Sequence, residues 1–178
     1  MRFALGMLSF VAMLVSIRAD AQDGFPQERK GFWVGVGLGV GSLGCDDCAS
    51  RENGLSGNLA LGGTLNQRVQ LGAMTTGWIK EEGGVTLTMG TLQAVVKFYP
   101  SATGGFYLLG GLGLSNLDVK FEGLGSEGDN GSAAVLGLGY DLRLRRNFSL
   151  TPYLNSLGMS IDGATSNIVQ VGVALNWH

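Results

Sequence analysis

From Gly31 onward, apolar residues recur at every second position, which is the period of a strand and not of a helix. In the stretch Trp33 to Gly41 one face carries Val34, Val36, Leu38 and Val40, and the other carries Trp33 and four glycines. The alternation continues through 55–65, 69–80, 85–99, 106–117, 132–144, 148–159 and 167–178. It therefore predicts eight strands of about 10–15 residues, close to the length a tilted membrane-spanning strand needs. In the last segment Val169, Val171, Val173, Leu175 and Trp177 share one face, and Gln170, Gly172, Ala174 and Asn176 share the other. In the sixth, Leu136, Leu138, Tyr140, Leu142 and Leu144 are assigned outward, with Gly137, Gly139, Asp141 and Arg143 inward. The segment 85–99 changes phase between Val85, Leu87, Met89 and Leu92, Ala94, Val96, Phe98, which predicts a β-bulge near Gly90.

The connectors alternate as well. Residues 66–68, 100–105 and 145–147 are short and lie on one side. The long stretches 42–54 and 116–131 lie on the other, with 81–84 and 160–166. Short and long connectors at opposite ends are the mark of an up-and-down antiparallel barrel. Charge sorts the same way, with a net −7 on the long-connector side and +4 on the short-turn side. Aromatic residues gather at the short turns, where Phe32, Phe98, Phe106, Phe148 and Trp177 are expected to form a girdle at a membrane interface. Trp78 is expected to be a thin counterpart at the opposite rim.

Composition narrows the class. Of 178 residues 31 are Gly and 3 are Pro, and only 15% are charged. Gly at this level disfavours long helices, and the lack of a Gly-X-Y period excludes collagen. Mean hydropathy is +0.22, yet after the first segment no run of 18 apolar residues offers a membrane helix. Residues 1–21 read as a secretory signal: Arg2 begins it, Phe3 to Ile17 is almost unbroken apolar chain, and Ala19-Asp20-Ala21 fits the cleavage pattern. Residues 22–30 would form a short periplasmic segment and 31–178 the barrel. The mature chain carries 10 basic and 13 acidic residues, a balance that gives no footprint for nucleic acid.

With these features in hand, residues 31–178 resemble the small eight-stranded outer-membrane barrels of the OmpX type and of the OmpA membrane-domain type. The features that carry the resemblance are the signal peptide, the eight segments and the closing Val169-x-Val171-x-Val173-x-Leu175-x-Trp177 pattern. That pattern is similar to the C-terminal assembly signal of this class, which implies insertion by the outer-membrane barrel-assembly machinery. His178 departs from it, since the family usually ends on its aromatic residue. The resemblance implies an all-β, eight-stranded transmembrane barrel of a Gram-negative-type outer membrane, seated in lipid and lipopolysaccharide; a closed barrel needs no partner to cover an edge, so a monomer is expected.

Candidate chemistry is sparse. Gly39 to Gly44 and Gly123 to Gly128 match G-x-G-x-x-G, but neither opens an amphipathic helix, so a dinucleotide site is not supported. Cys45-x-x-Cys48 reads first as a disulfide in an exported chain, with a redox thiol pair or a metal site with Asp46 and Asp47 as alternatives. His178 is the only histidine and lies away from the long-connector rim, so a Ser-His-acid site is not available there. No cofactor is expected. Lys97, Asp141 and Arg143 point inward and are expected to form an interior ion network. Small inward residues are expected to make room for Trp33, Tyr107 and Tyr153 and so fill the lumen. The expectation is a non-enzymatic structural or surface-interaction barrel with acidic external loops, which either keep the rim soluble or hold divalent cations against lipopolysaccharide phosphates. Alternatives are a barrel or narrow, porin-like pore that holds a lipid or small apolar ligand, and a soluble lipocalin-like periplasmic binder with its apolar face inward.

Overall fold

The computed structural model describes residues 28–45, 50–121, 125–161 and 164–178. They form β1 (Phe32–Cys45), β2 (Glu52–Asn66), β3 (Val69–Glu82), β4 (Val85–Phe98), β5 (Phe106–Phe121), β6 (Gly125–Tyr140), β7 (Leu142–Arg145), β8 (Phe148–Ile161) and β9 (Ala164–Trp177). Strands β6 and β7 are two parts of one barrel strand. Both pair with β8 in a common register, Gly139 opposite Tyr153 and Leu142 opposite Leu150. At the interruption the Asp141 amide donates to Gly105 O at 2.9 Å. All pairings are antiparallel; β1 joins β2 and β9, and the β6–β8 pairing closes the sheet. The fold is a closed eight-stranded antiparallel barrel. The proposed signal segment 1–21 lies outside the described residues.

The register sets the shape of the interior. From Trp33 the ladder runs through Gly62, Gly72, Val95, Gly111, Val135, Leu157 and Ile168, and returns to β1 at Leu43, ten residues beyond its start. In eight strands this stagger tilts each strand by roughly 40° and leaves a lumen that side chains can fill. One end, the turn end, carries the connections around residues 67–68, 99–105 and 146–147; the opposite loop end carries the others.

The two faces differ in chemistry. Outward stand exposed apolar side chains on every strand, among them Leu38 at 67%, Leu112 at 72%, Leu136 at 72% and Val171 at 54% of full exposure. Inward stand buried Gln70, Gln93, Lys97, Asp141, Thr151, Gln170 and Asn176. The outer face is apolar, and the inner face mixes these polar groups with a buried apolar cluster of Trp33, Trp78, Met89, Leu157 and Ile168.

Three local expectations are corrected. β1 runs to Cys45, β2 starts at Glu52, and β5 and β6 extend to Phe121 and from Gly125, so most of 42–54 and 116–131 is strand and not loop. The outward positions there, such as Asn116, Asn130, Ser132 and Ser160, are polar and exposed. The ladder continues after the apolar alternation has stopped. Second, β4 pairs without a register shift on both sides of Gly90, so no bulge is present there. Met89 is buried inward and Leu87 packs against the same cluster, because the lumen itself turns apolar toward the loop end. Third, Trp78 is not at an outer rim: it is 1% exposed inside the barrel, its indole N–H donating to Gly41 O at 2.9 Å.

Candidate functional site

The lumen is filled in tiers. Toward the loop end, Leu43, Trp78, Met89, Leu157, Met159 and Ile168 form an apolar plug. In the middle Asn155 Nδ2 donates to Gln170 Oε1 at 3.2 Å and Gln170 Nε2 to Ser56 Oγ at 2.9 Å. Below, large aromatic rings occupy the space left by glycines on the facing strands. A Cβ on Gly72 would lie 2.8 Å from Trp33 Cζ2, one on Gly139 2.5 Å from Tyr107 Oη, and one on Gly172 2.5 Å from Tyr153 Oη. Alternating large and small inward residues is how a small barrel closes its interior.

The turn end holds the charged side chains. Asp141, fully buried, accepts from Tyr99 Oη at 2.9 Å and from Thr151 Oγ1 at 2.7 Å. Asn176 Nδ2 donates to Thr151 Oγ1 at 2.6 Å and lies 3.5 Å from Asp141 Oδ1. Gln70 Oε1 is 3.1 Å from the Tyr99 hydroxyl, and Gln70 Nε2 donates to Thr64 Oγ1 at 3.1 Å. Burial first, and then the Asp141 carboxylate, push the Tyr99 phenol well above its ordinary range, so it stays a donor. His178 Nε2 lies 4.0 Å from Asp141 Oδ2. Burial pushes the His178 imidazole down to about 4, Asp141 opposing it and Arg143, Lys97 and Arg29 adding to it.

The segment before β1 crosses this mouth. Arg29 is 1% exposed, and its guanidinium lies 3.5 Å from the centroid of the Tyr99 ring. Its Nη1 donates to Gln67 O at 3.1 Å and to Ala102 O at 3.2 Å, and its Nη2 donates to Gly104 O. The Arg29 amide donates to Gln67 Oε1 at 3.0 Å, and Gln67 Nε2 returns a bond to Arg29 O at 3.1 Å. Arg143 donates from Nη2 to Glu28 O at 3.0 Å and from Nη1 to Arg146 O at 2.8 Å. The result is a strap, held from three sides, over the turn-end opening.

Of the three inward charges expected to form a network, Asp141 is the hub of the hydrogen bonds and Arg143 clamps the strap. Lys97 sits deeper, its Nζ 4.1 Å from the Trp33 ring centroid and 5.1 Å from that of Tyr107. Sequence reasoning missed Arg29, Gln67 and Tyr99 as partners here. Arg29 and Gln67 lie outside the alternating segments, where the pattern assigns no face, and Tyr99 closes the segment 85–99 at an inward position by period alone. Thr151 and Asn176 occupy inward positions by period, and that alone was the signal available for them.

No family model matches the sequence, and no curated protein matches it. Solved structures do match. The attachment invasion locus protein Ail of Yersinia pestis aligns over 84% of this chain and 100% of its own, with a TM-score of 0.64 at 14% identity. Neisserial surface protein A aligns over 84% and 98% at a TM-score of 0.66 and 12% identity. The N-terminal β-barrel domain of Pseudomonas aeruginosa OprF aligns over 84% and 100% at a TM-score of 0.53 and 16% identity. The fold is that of the small outer-membrane barrels. Within this fold, Phe32, Phe98, Phe106, Phe148 and Trp177 stand outward and exposed around the turn end. Val169, Val171, Val173 and Leu175 stand outward on β9 with Trp177. Cys45 ends β1 opposite Ser166, and Cys48 lies outside the described residues. At the loop end Lys80 binds Glu52 and, at 2.6 Å, Glu82.

Proposed function

We propose that this chain is a non-enzymatic β-barrel protein of an outer membrane, exported through residues 1–21 and acting as a structural or surface-interaction element. The observation that carries the reading is the outer surface: exposed Leu, Val and Phe side chains around the whole barrel, over a lumen in which polar groups such as Gln70, Gln93, Lys97 and Asp141 are buried. In water such a face is a liability, whereas in lipid it is the stable arrangement, because a closed barrel satisfies its own backbone. The outward residues of β9 then serve as the assembly signal read by the barrel-assembly machinery. Phe32, Phe98, Phe106, Phe148 and Trp177 then mark the periplasmic interface.

The lumen supports a filled barrel more than a ligand-holding pore. A partly open cavity of about 20 Å³ inside it, lined by Lys97, Tyr153 and Asn155 among others, has room for a water-sized guest and not for a lipid. The surface role rests on the loop end, where the strand tips and the connections between them together carry net −7 and Glu52, Glu81, Glu82 and Asp129 are exposed. Such a rim attracts divalent cations that bridge to lipopolysaccharide phosphates. It differs from a surface that takes polyanions, although Ail has been crystallised with the heparin analogue sucrose octasulfate. A disulfide between Cys45 and Cys48 would staple the first outer connection.

Planar lipid bilayers test the reading. Folded protein that resists carbonate extraction from vesicles should give no stable conductance steps. Large, stable steps would overturn the filled barrel, and release by carbonate would overturn membrane insertion.

A further inference from the structure

Given the membrane seat proposed above, on which this step rests, we propose that a basic arc on the turn-end rim docks the headgroups of anionic phospholipids. Arg145 ends β7 and Arg146 follows it in the turn to β8, Lys30 precedes β1, and Arg68 stands in the turn between β2 and β3. All four are exposed. The sheet order β3-β2-β1-β9-β8-β7 strings them along one continuous side of the rim, and the connection 99–105 on the remaining side carries no charge. Among the described residues the exposed carboxylate at this end is Glu28, 3.5 Å from Lys30 Nζ in a pair open to water. The side chains of Arg68, Arg145 and Arg146 make no hydrogen bond or ion pair among the described residues.

The same rim carries the apolar half of the ligand's chemistry. Arg145 is the register partner of Phe148, and Phe148 of Trp177, both rings outward and exposed. Phe32 follows Lys30 by two residues, and Val69 follows Arg68 directly. The cations therefore stand at the edge of the outward apolar band. A phospholipid meets both features: its phosphate oxygens accept from the planar guanidinium fork, and its acyl chains cover the side chains beside it. Free phosphate engages the guanidinium alone. A net positive rim favours a headgroup of net negative charge, because a zwitterionic one brings its own cation against the arginines. The loop end, at net −7, repels the same headgroup.

Electron paramagnetic resonance of the full chain in phosphatidylcholine vesicles, with spin-labelled phosphatidylglycerol or spin-labelled phosphatidylcholine as the probe, tests the arc. The wild type should immobilise the phosphatidylglycerol probe several-fold more strongly, and high salt should reduce the excess. Arg68→Gln, Arg145→Gln and Arg146→Gln combined should bring the two probes to near parity, whereas Lys80→Gln at the loop end should keep the excess. Parity in the wild type, or an excess that survives the triple substitution, would overturn the arc and leave insertion intact. Loss of the excess in inorganic phosphate, where chloride at equal ionic strength keeps it, would assign the arc to free phosphate and overturn the lipid. Protein that carbonate strips from the vesicles would overturn the membrane seat and the arc with it.

Discussion

The hydroxyl of Tyr99, in the connection between β4 and β5, donates to Asp141 Oδ2 at 2.9 Å, in the break between β6 and β7. The bond ties the turn-end mouth to the wall of the barrel. Tyr99→Phe keeps the ring under Arg29 and removes one donor to a buried carboxylate, so it should destabilise the barrel by about 1.5–3 kcal/mol. Urea unfolding of the vesicle-embedded protein measures this. Asp141→Leu should cost more, because it removes the buried acceptor of both Tyr99 and Thr151 together with its charge.

The glycines that face aromatic rings should be intolerant of side chains, and the outward ones should not. Gly139→Ala places a methyl 2.5 Å from Tyr107 Oη and should cost about 1–3 kcal/mol. Combining it with Tyr107→Phe should recover part of the loss. Gly77, outward with nothing within 4 Å of a new Cβ, should accept Ala within about 0.5 kcal/mol.

The outward face should respond as a lipid face does. Leu38→Arg or Val171→Arg, in the apolar band, should cost about 2–4 kcal/mol in vesicles. At positions this exposed in a water-soluble barrel, the same changes would stay within about 0.5 kcal/mol.

Acid should act through His178. Its imidazole is held down to about 4, from an ordinary value of 6.5, so the unfolded chain takes up a proton before the folded one does. The contribution is fully present above about 6.5, falls as pH drops through the interval, and levels off below about 4. His178→Gln should flatten that part of a pH–stability curve. An unchanged slope would show that the ring is not buried in the folded protein.

Non-reducing peptide mapping should recover Cys45 and Cys48 in one linked peptide that resists alkylation until reduced. Free alkylation of both thiols in the exported protein would remove the staple.

The strands and their two faces were legible because lipid and lumen impose opposite polarity on successive residues. Val169, Val171 and Val173 could be assigned outward, and Asp141 and Arg143 inward, from period alone. Legibility failed where that contrast lapsed. Near Asn116 and Asn130 the outward face is polar, and strand read as loop. In β4 the inward face turns apolar at Met89, and a change of lumen chemistry read as a bulge. Trp78 looked like a rim residue because the pattern records polarity and not depth. The Arg29 strap left no trace in the sequence, since its partners Gln67, Ala102 and Gly104 meet only once the barrel closes.

The central claim is a stable barrel with its apolar face in an outer membrane. Gel mobility of the tag-free protein in the outer-membrane fraction, with and without boiling, tests it most directly. The account predicts enrichment in that fraction and a heat-dependent shift. Recovery from the soluble periplasm without a shift would contradict it.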